Sequence, residues 1–253
     1  MPSVLSFLQT LSPWWVGAGV TGLLILVAIA LPKKILTPAG LAHAWVLGTI
    51  TWGGLGWPGF VLIMFYLGAG SAVTFVGMDQ KEAAGIAEER SGQRGPGNLW
   101  GSALTGTVCT LSALIWPQYL ALLKLGFVAS FATKLSDTCA SEVGKAYGRR
   151  TYLITTFQPV PPGTEGAVSL EGTMAGMAGS VAVALFGWIT GLIEPMGIVG
   201  CAIAAFVATN IESVLGATIE EKIPVYPHHV VNIINTAIGA IGAIILVLLK
   251  DPK

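Results

Sequence analysis

Four short polar clusters interrupt an otherwise apolar chain, and their residue types are those that bind phosphates and hard cations. The densest runs Lys134-Leu-Ser136-Asp137-Thr138-Cys-Ala-Ser141-Glu142-Val-Gly144. On a helix Lys134, Asp137, Thr138, Ser141 and Glu142 recur at three- and four-residue steps and form one polar stripe. A charge inside a membrane helix costs several kcal/mol on insertion scales, so such a stripe needs partners or water. The alternative is a helix end emerging into solvent.

A second cluster, preceded by Pro161 and Pro162, is Gly163-Thr164-Glu165-Gly166-Ala167-Val168-Ser169-Leu170-Glu171-Gly172. Glycines at this density let backbone N–H groups converge on an anion, with Thr164 and Ser169 as further donors. No Gly-Lys-Ser/Thr closes the loop and no soluble strand precedes it, so it is not a Walker A motif. The other reading is a turn leading into the small-residue helix face Gly172, Gly176, Gly179; Glu171, at the mouth of that helix, favours a site. Arg94 and Asn98 stand at the start of one apolar stretch, and Asn210, Glu212 and Ser213 at the end of another. Alone, each reads as a cap or packing contact. His43, His228 and His229 read as interface residues rather than metal ligands, and Asn232 is a stronger site candidate than Asn235.

The elements that must position these groups are membrane helices. The 253 residues are 53% hydrophobic and 10% charged, against roughly 25% charged in a soluble domain. That excludes an ordinary soluble protein; 33 Gly and 8 Trp suit helix packing and membrane interfaces. Zero net charge gives no electrostatic reason to expect nucleic acid. Cys109, Cys139 and Cys201 are too scattered for a disulfide framework or zinc site. Without a basic n-region or cleavage site, the first apolar stretch reads as a retained span. At about 20 residues per crossing, spans fall near 14–31, 41–56, 57–77, 98–117, 119–137, 172–193, 196–215 and 230–249. The expected fold is an all-α polytopic bundle of seven or eight transmembrane helices, a single integral membrane domain over 1–253. Without the short second span the count is seven. Lys33, Lys34, Lys81, Arg90, Arg94, Lys145, Arg149, Arg150 and Lys222 follow alternate spans, which assigns their loops, and the four clusters, to the cytoplasm of a bacterial inner or photosynthetic membrane.

In these segments, Arg94 to Asn98, Ser136 to Gly144, Gly163 to Gly172 and Glu212 to Ala217 followed by Asn232, the chain resembles the domain-of-unknown-function 92 family. This is also called the transmembrane protein 19 family, and it includes phytyl-phosphate kinases of plants and cyanobacteria. The family often has Asp where Glu212 stands. The resemblance implies transfer of a phosphoryl group from a nucleoside triphosphate, CTP by family likeness, to an isoprenyl monophosphate such as phytyl phosphate. That chemistry belongs to phytol salvage and tocopherol biosynthesis. It further implies Mg²⁺ on Asp137 and Glu142 with Glu171 as a further ligand, and phosphates on Lys134 and Arg94. Asn98 would orient the acceptor, and the loop containing Gly163, Thr164, Gly166 and Ser169 would wrap the nucleotide. Thr138, Ser141, Ser213 and Asn232 complete the expected substrate contacts, and the tail would lie among spans four to seven. Rival readings are a lipid-phosphate transporter or flippase, a CTP-dependent polyprenol kinase, and a cytidylyltransferase.

Overall fold

The computed structural model describes residues 12–220 and 228–250, so the expectations for Lys222 and for the first eleven residues lie outside the described residues. The long helices are α1 (Pro13–Ala30), α2 (Pro38–Phe75), α4 (Pro96–Ile115), α5 (Leu120–Tyr147), α6 (Leu170–Ile189), α7 (Pro195–Leu215) and α8 (His228–Lys250), with the short α3 (Met78–Ala83) after α2. Four of them start on proline, whose missing N–H costs nothing in a first turn. The Thr37 hydroxyl caps α2 by accepting from Gly40 N–H at 3.0 Å, and Ser169 caps α6 by accepting from Gly172 N–H at 3.1 Å.

Although α2 reads as one helix of 38 residues, it turns back on itself at Gly56, whose φ of 68° and ψ of −163° exclude an ordinary L-residue, just before Pro58. Arg94 proves the reversal. A Cβ added at Gly40 would stand 2.7 Å from its carbonyl oxygen, and one at Gly70 would stand 2.7 Å from its Nη2. On an unbroken helix those glycines would be about 45 Å apart. The limbs 38–55 and 57–75 are therefore separate crossings. Among the described residues six helices are long and apolar enough to cross a membrane; α2 crosses twice, and α4 adds a crossing whose many hydroxyls keep its hydropathy low, which makes eight crossings in the described residues.

At the centre stands α5, buried without a break from Leu125 to Ser136. The span is expected to end near 137, but the helix continues to Tyr147, with Cys139 and Glu142 still buried beyond that point. Its 28 residues make about 42 Å of helix, longer than a hydrocarbon core of about 30 Å. The small face of α6 presses directly on it: a Cβ at Gly172 would meet Ala140 O at 2.5 Å, and one at Gly176 would meet Ser136 O at 2.9 Å. On another side, Gly239 of α8 lets Thr133 approach. Strands β1 (Thr151–Leu153) and β2 (Ala167–Ser169) pair antiparallel, Thr151 opposite Ser169, and bring the Gly-rich loop back to α6. Segments 31–37, 76–95, 148–169 and 216–220 share one end of the bundle, called here the loop end; the turns at Gly56, Pro117–Tyr119 and residues 190–194 lie at the hairpin end.

Candidate functional site

Lys134 sits at the middle of α5, where burial of its ammonium requires acceptors. It donates to Asp137 Oδ2 at 2.5 Å and to Asn232 Oδ1 of α8 at 2.6 Å. Glu212 of α7 lies close enough to act electrostatically on Lys134 and Asp137, and it accepts from Asn235 Nδ2. Three helices thus bring two carboxylates, two amides and one ammonium together. Among the described residues no group donates to the buried Oδ1 of Asn235, so one more oxygen donor stands beside the carboxylates.

A second polar group adjoins this one. Arg94, only 9% exposed, donates through Nη1 to the Tyr66 hydroxyl at 2.8 Å; that hydroxyl donates to Ser102 Oγ at 3.0 Å. The Tyr66 ring packs 5.2 Å from that of Phe131, which lies one turn before Lys134 on α5. Gly70 makes the space for the guanidinium. Beyond Arg94, Tyr66 and Ser102 an apolar groove runs towards the hairpin end between α1, both limbs of α2, α4 and α5. This groove lies among spans one to five, which differs from the expected location among spans four to seven.

The expected ligands Asp137, Glu142 and Glu171 do not form one donor set; among the described residues no group of three His, Cys, Asp or Glu side chains is placed to hold a metal. The reason is helical phase. Asp137 and Glu142 are five residues apart and point about 140° away from each other. Glu142, buried, accepts from Lys81 Nζ and faces Lys145 at 3.8 Å. Glu171 is half-buried in the first turn of α6.

Other expected contacts take varied positions. Thr138 donates back to Lys134 O at 2.9 Å, Ser213 to Thr209 O at 3.2 Å, and Thr164 to Pro161 O at 2.8 Å. Ser141 is exposed, and Ser169 is committed as the α6 cap. Asn98 approaches Glu88 Oε1 only at 3.5 Å. Gly163 and Gly166, at φ of 85° and 75°, fold the loop tightly. A Cβ at Gly163 would collide with Ile86, and one at Gly166 would stand 2.6 Å from Ser213 O, so the loop rests on the end of α7 that carries Glu212.

Sequence reasoning passed over Tyr66, Ser102 and Lys81, and ranked Asn235 below Asn232. For the amides the three-residue step was the available signal; for Tyr66 it was a hydroxyl inside an apolar span.

Known proteins share this chain's pattern over nearly its full length. It is 57% identical over 233 residues to an uncharacterized membrane protein of Synechocystis, covering 92% of this chain and 90% of the relative. With the chloroplastic protein VTE6 of Arabidopsis thaliana it shares 43% identity over 253 residues, 97% of this chain and 76% of the relative. An uncharacterized membrane protein of the archaeon Methanocaldococcus jannaschii is 29% identical over 228 residues, 88% of this chain and 92% of the relative. No solved structure matches the chain. The match to the family described as integral membrane protein DUF92 spans residues 21–241, and the chain belongs to that family.

Proposed function

We propose that the protein is an integral membrane phosphotransferase that moves the terminal phosphoryl group of a nucleoside triphosphate onto an isoprenyl monophosphate. Phytyl phosphate is the acceptor and CTP the donor that the family resemblance points to. The observation that carries this reading is the Lys134–Asp137–Glu212–Asn232 cluster beside Arg94, set between an apolar groove and a soluble-facing loop.

The donor set fits Mg²⁺. Two carboxylates and Asn235 Oδ1 are hard oxygen donors, and Mg²⁺ sites commonly use only one or two carboxylates alongside substrate phosphates. Asp137 and Glu212 would hold the ion, with Glu142 engaged elsewhere. When bound, Mg²⁺ neutralises charge on the donor phosphates.

The acceptor needs no strong base, because a phosphate monoester loses its second proton near pH ~6 and is already a nucleophile. Its oxygen attacks the terminal phosphorus, a P–O bond forms, the bond to the bridging oxygen breaks, and a nucleoside diphosphate leaves. The difficulty is crowding anions, so positioning and cationic stabilisation dominate. Arg94 clamps the acceptor phosphate through its planar fork. Lys134, freed from Asp137 as phosphates arrive, bonds the transferring group. Asn98, in the first turn of α4, orients the acceptor, and the Gly163–Ser169 loop wraps the donor phosphates on the cytoplasmic side.

The test uses the purified protein with Mg²⁺, phytyl phosphate and each of the four nucleoside triphosphates. Phytyl diphosphate plus a nucleoside diphosphate is the expected outcome. Release of pyrophosphate would assign a nucleotidyl transferase instead, and no conversion with any donor would remove the reading.

A further inference from the structure

The apolar groove has a polar mouth and an apolar far end. Its mouth is Arg94, Tyr66 and Ser102; its far end, towards the hairpin end, is made by Thr51, Phe60 and Phe127. Threonines in this lining turn their hydroxyls into their own helices: Thr21 donates to Gly17 O at 2.7 Å, Thr51 to Leu47 O at 2.8 Å and Thr107 to Ala103 O at 2.8 Å. Only methyl groups remain to face the groove. Ala28, Ala44 and Ala103 leave its walls open.

The mouth carries an uncompensated charge. Among the described residues no carboxylate pairs with Arg94, whose hydrogen bond goes to the Tyr66 hydroxyl. A buried cation without a counter-ion is costly, so this position suits a ligand that brings an anion to the mouth and hydrocarbon to the walls. From Ala28 to Thr21, and from Ala44 to Thr51, the lined depth corresponds to about 11 Å of helix rise. An extended chain with C–C bonds of ~1.5 Å fits roughly two isoprene units in that length.

We propose that this groove seats the phosphate-proximal isoprene units of a prenyl monophosphate, with its phosphate on Arg94, and that the rest of a longer tail leaves by the far end for the surrounding lipid. The inference rests on the acceptor reading above and deepens it: the protein reads the first two branched units and tolerates length beyond them. Because lipid is as apolar as the groove, selectivity comes from shape and from the phosphate rather than from hydrophobic transfer.

The test needs neither nucleotide nor turnover. Farnesyl monophosphate carrying a diazirine on its second isoprene unit is photolysed with the full chain in nanodiscs, and the labelled peptides are identified by mass spectrometry. Labels should fall on α1, α2 and α4, and the matching farnesol probe, which lacks the anion, should label these helices at least ~tenfold less. Ala44→Phe and Ala103→Phe, on different helices, should each lower labelling by about tenfold by filling the groove. Val199→Phe, at an exposed position on α7, serves as the control that should not. Labelling on α6 or α7, or equal labelling by the alcohol, overturns the groove assignment without needing any variant to fold. Correct labelling with no phosphoryl transfer from any nucleotide would sink the kinase reading and leave the groove; transfer with labels elsewhere would do the reverse.

Discussion

At Lys134 a single ammonium holds together groups that would otherwise repel. Asp137 and Glu212 are neighbours around the same ammonium, and the cation and two amides make that closeness tolerable. Asp137→Asn keeps the volume but removes the charge that would hold Mg²⁺, so kcat should fall by more than ~100-fold in a stable protein. Near-normal turnover at saturating Mg²⁺ would remove Asp137 from the chemistry. The two candidate second carboxylates separate in the same assay. Glu212→Gln should raise the Mg²⁺ concentration needed for half-maximal rate, whereas Glu142→Gln should leave that concentration unchanged while lowering Tm, because Glu142 faces Lys81. The reverse pattern would restore the ligand set read from the sequence. Lys134, Asp137 and Asn232 were legible as chemistry because polar groups in apolar helices announce themselves. Which neighbours they meet was not legible: a stripe built on three- and four-residue steps still spreads widely around the helix, and only the packing of α7 and α8 selects the Asp137 edge.

Among the elements, α5 and the segment 76–95 share a buried clamp. Lys81, on the six-residue α3, is 1% exposed. It donates to Glu142 and, at 2.8 Å, to the Thr74 carbonyl, tying the segment that carries Arg94 to the loop end of α5. The sequence reading saw Lys81 only as loop charge, since nothing in a linear sequence shows that a short polar helix folds inward over a longer one. The reversal in α2 was legible only as the boundary between spans 41–56 and 57–77, with the shorter span left open; the structure adds the left-handed φ at Gly56 that turns the chain. Lys81→Met should destabilise the protein by up to about 3 kcal/mol, because the buried Glu142 carboxylate loses its closest partner and keeps only Lys145 at 3.8 Å. Adding Glu142→Leu should recover most of that loss, because removing both charges restores a balanced interior. Thermal unfolding in detergent gives both values. If the double variant is as unstable as the single one, the pair is not acting as a clamp.

Over the whole molecule, basic residues concentrate at one of the two ends. Lys33, Lys34, Lys81, Arg90, Arg94, Lys145, Arg149 and Arg150 belong to the loop end, while Lys124 and Lys250 are the basic residues of the hairpin end among those described. Exposed Trp15, Trp57, Trp116, Tyr119 and Trp188 gather at the hairpin end, as an interfacial belt should. Positive loops resist translocation, so the loop end should face the cytoplasm, where nucleotides are, and the described start of α1 and end of α8 should face away. This orientation can be read chemically because Cys109, Cys139 and Cys201 are buried and react poorly with reagents confined to water. In a background with those three replaced by Ala, Arg149→Cys should resist a membrane-impermeant maleimide in intact cells and react once the cells are opened. Trp116→Cys, in the opposite turn, should react in both preparations. Labelling of Cys at 149 in intact cells would invert the topology and put the carboxylate pair on the side without nucleotides, which would end the kinase proposal whatever the mutants at Asp137 show.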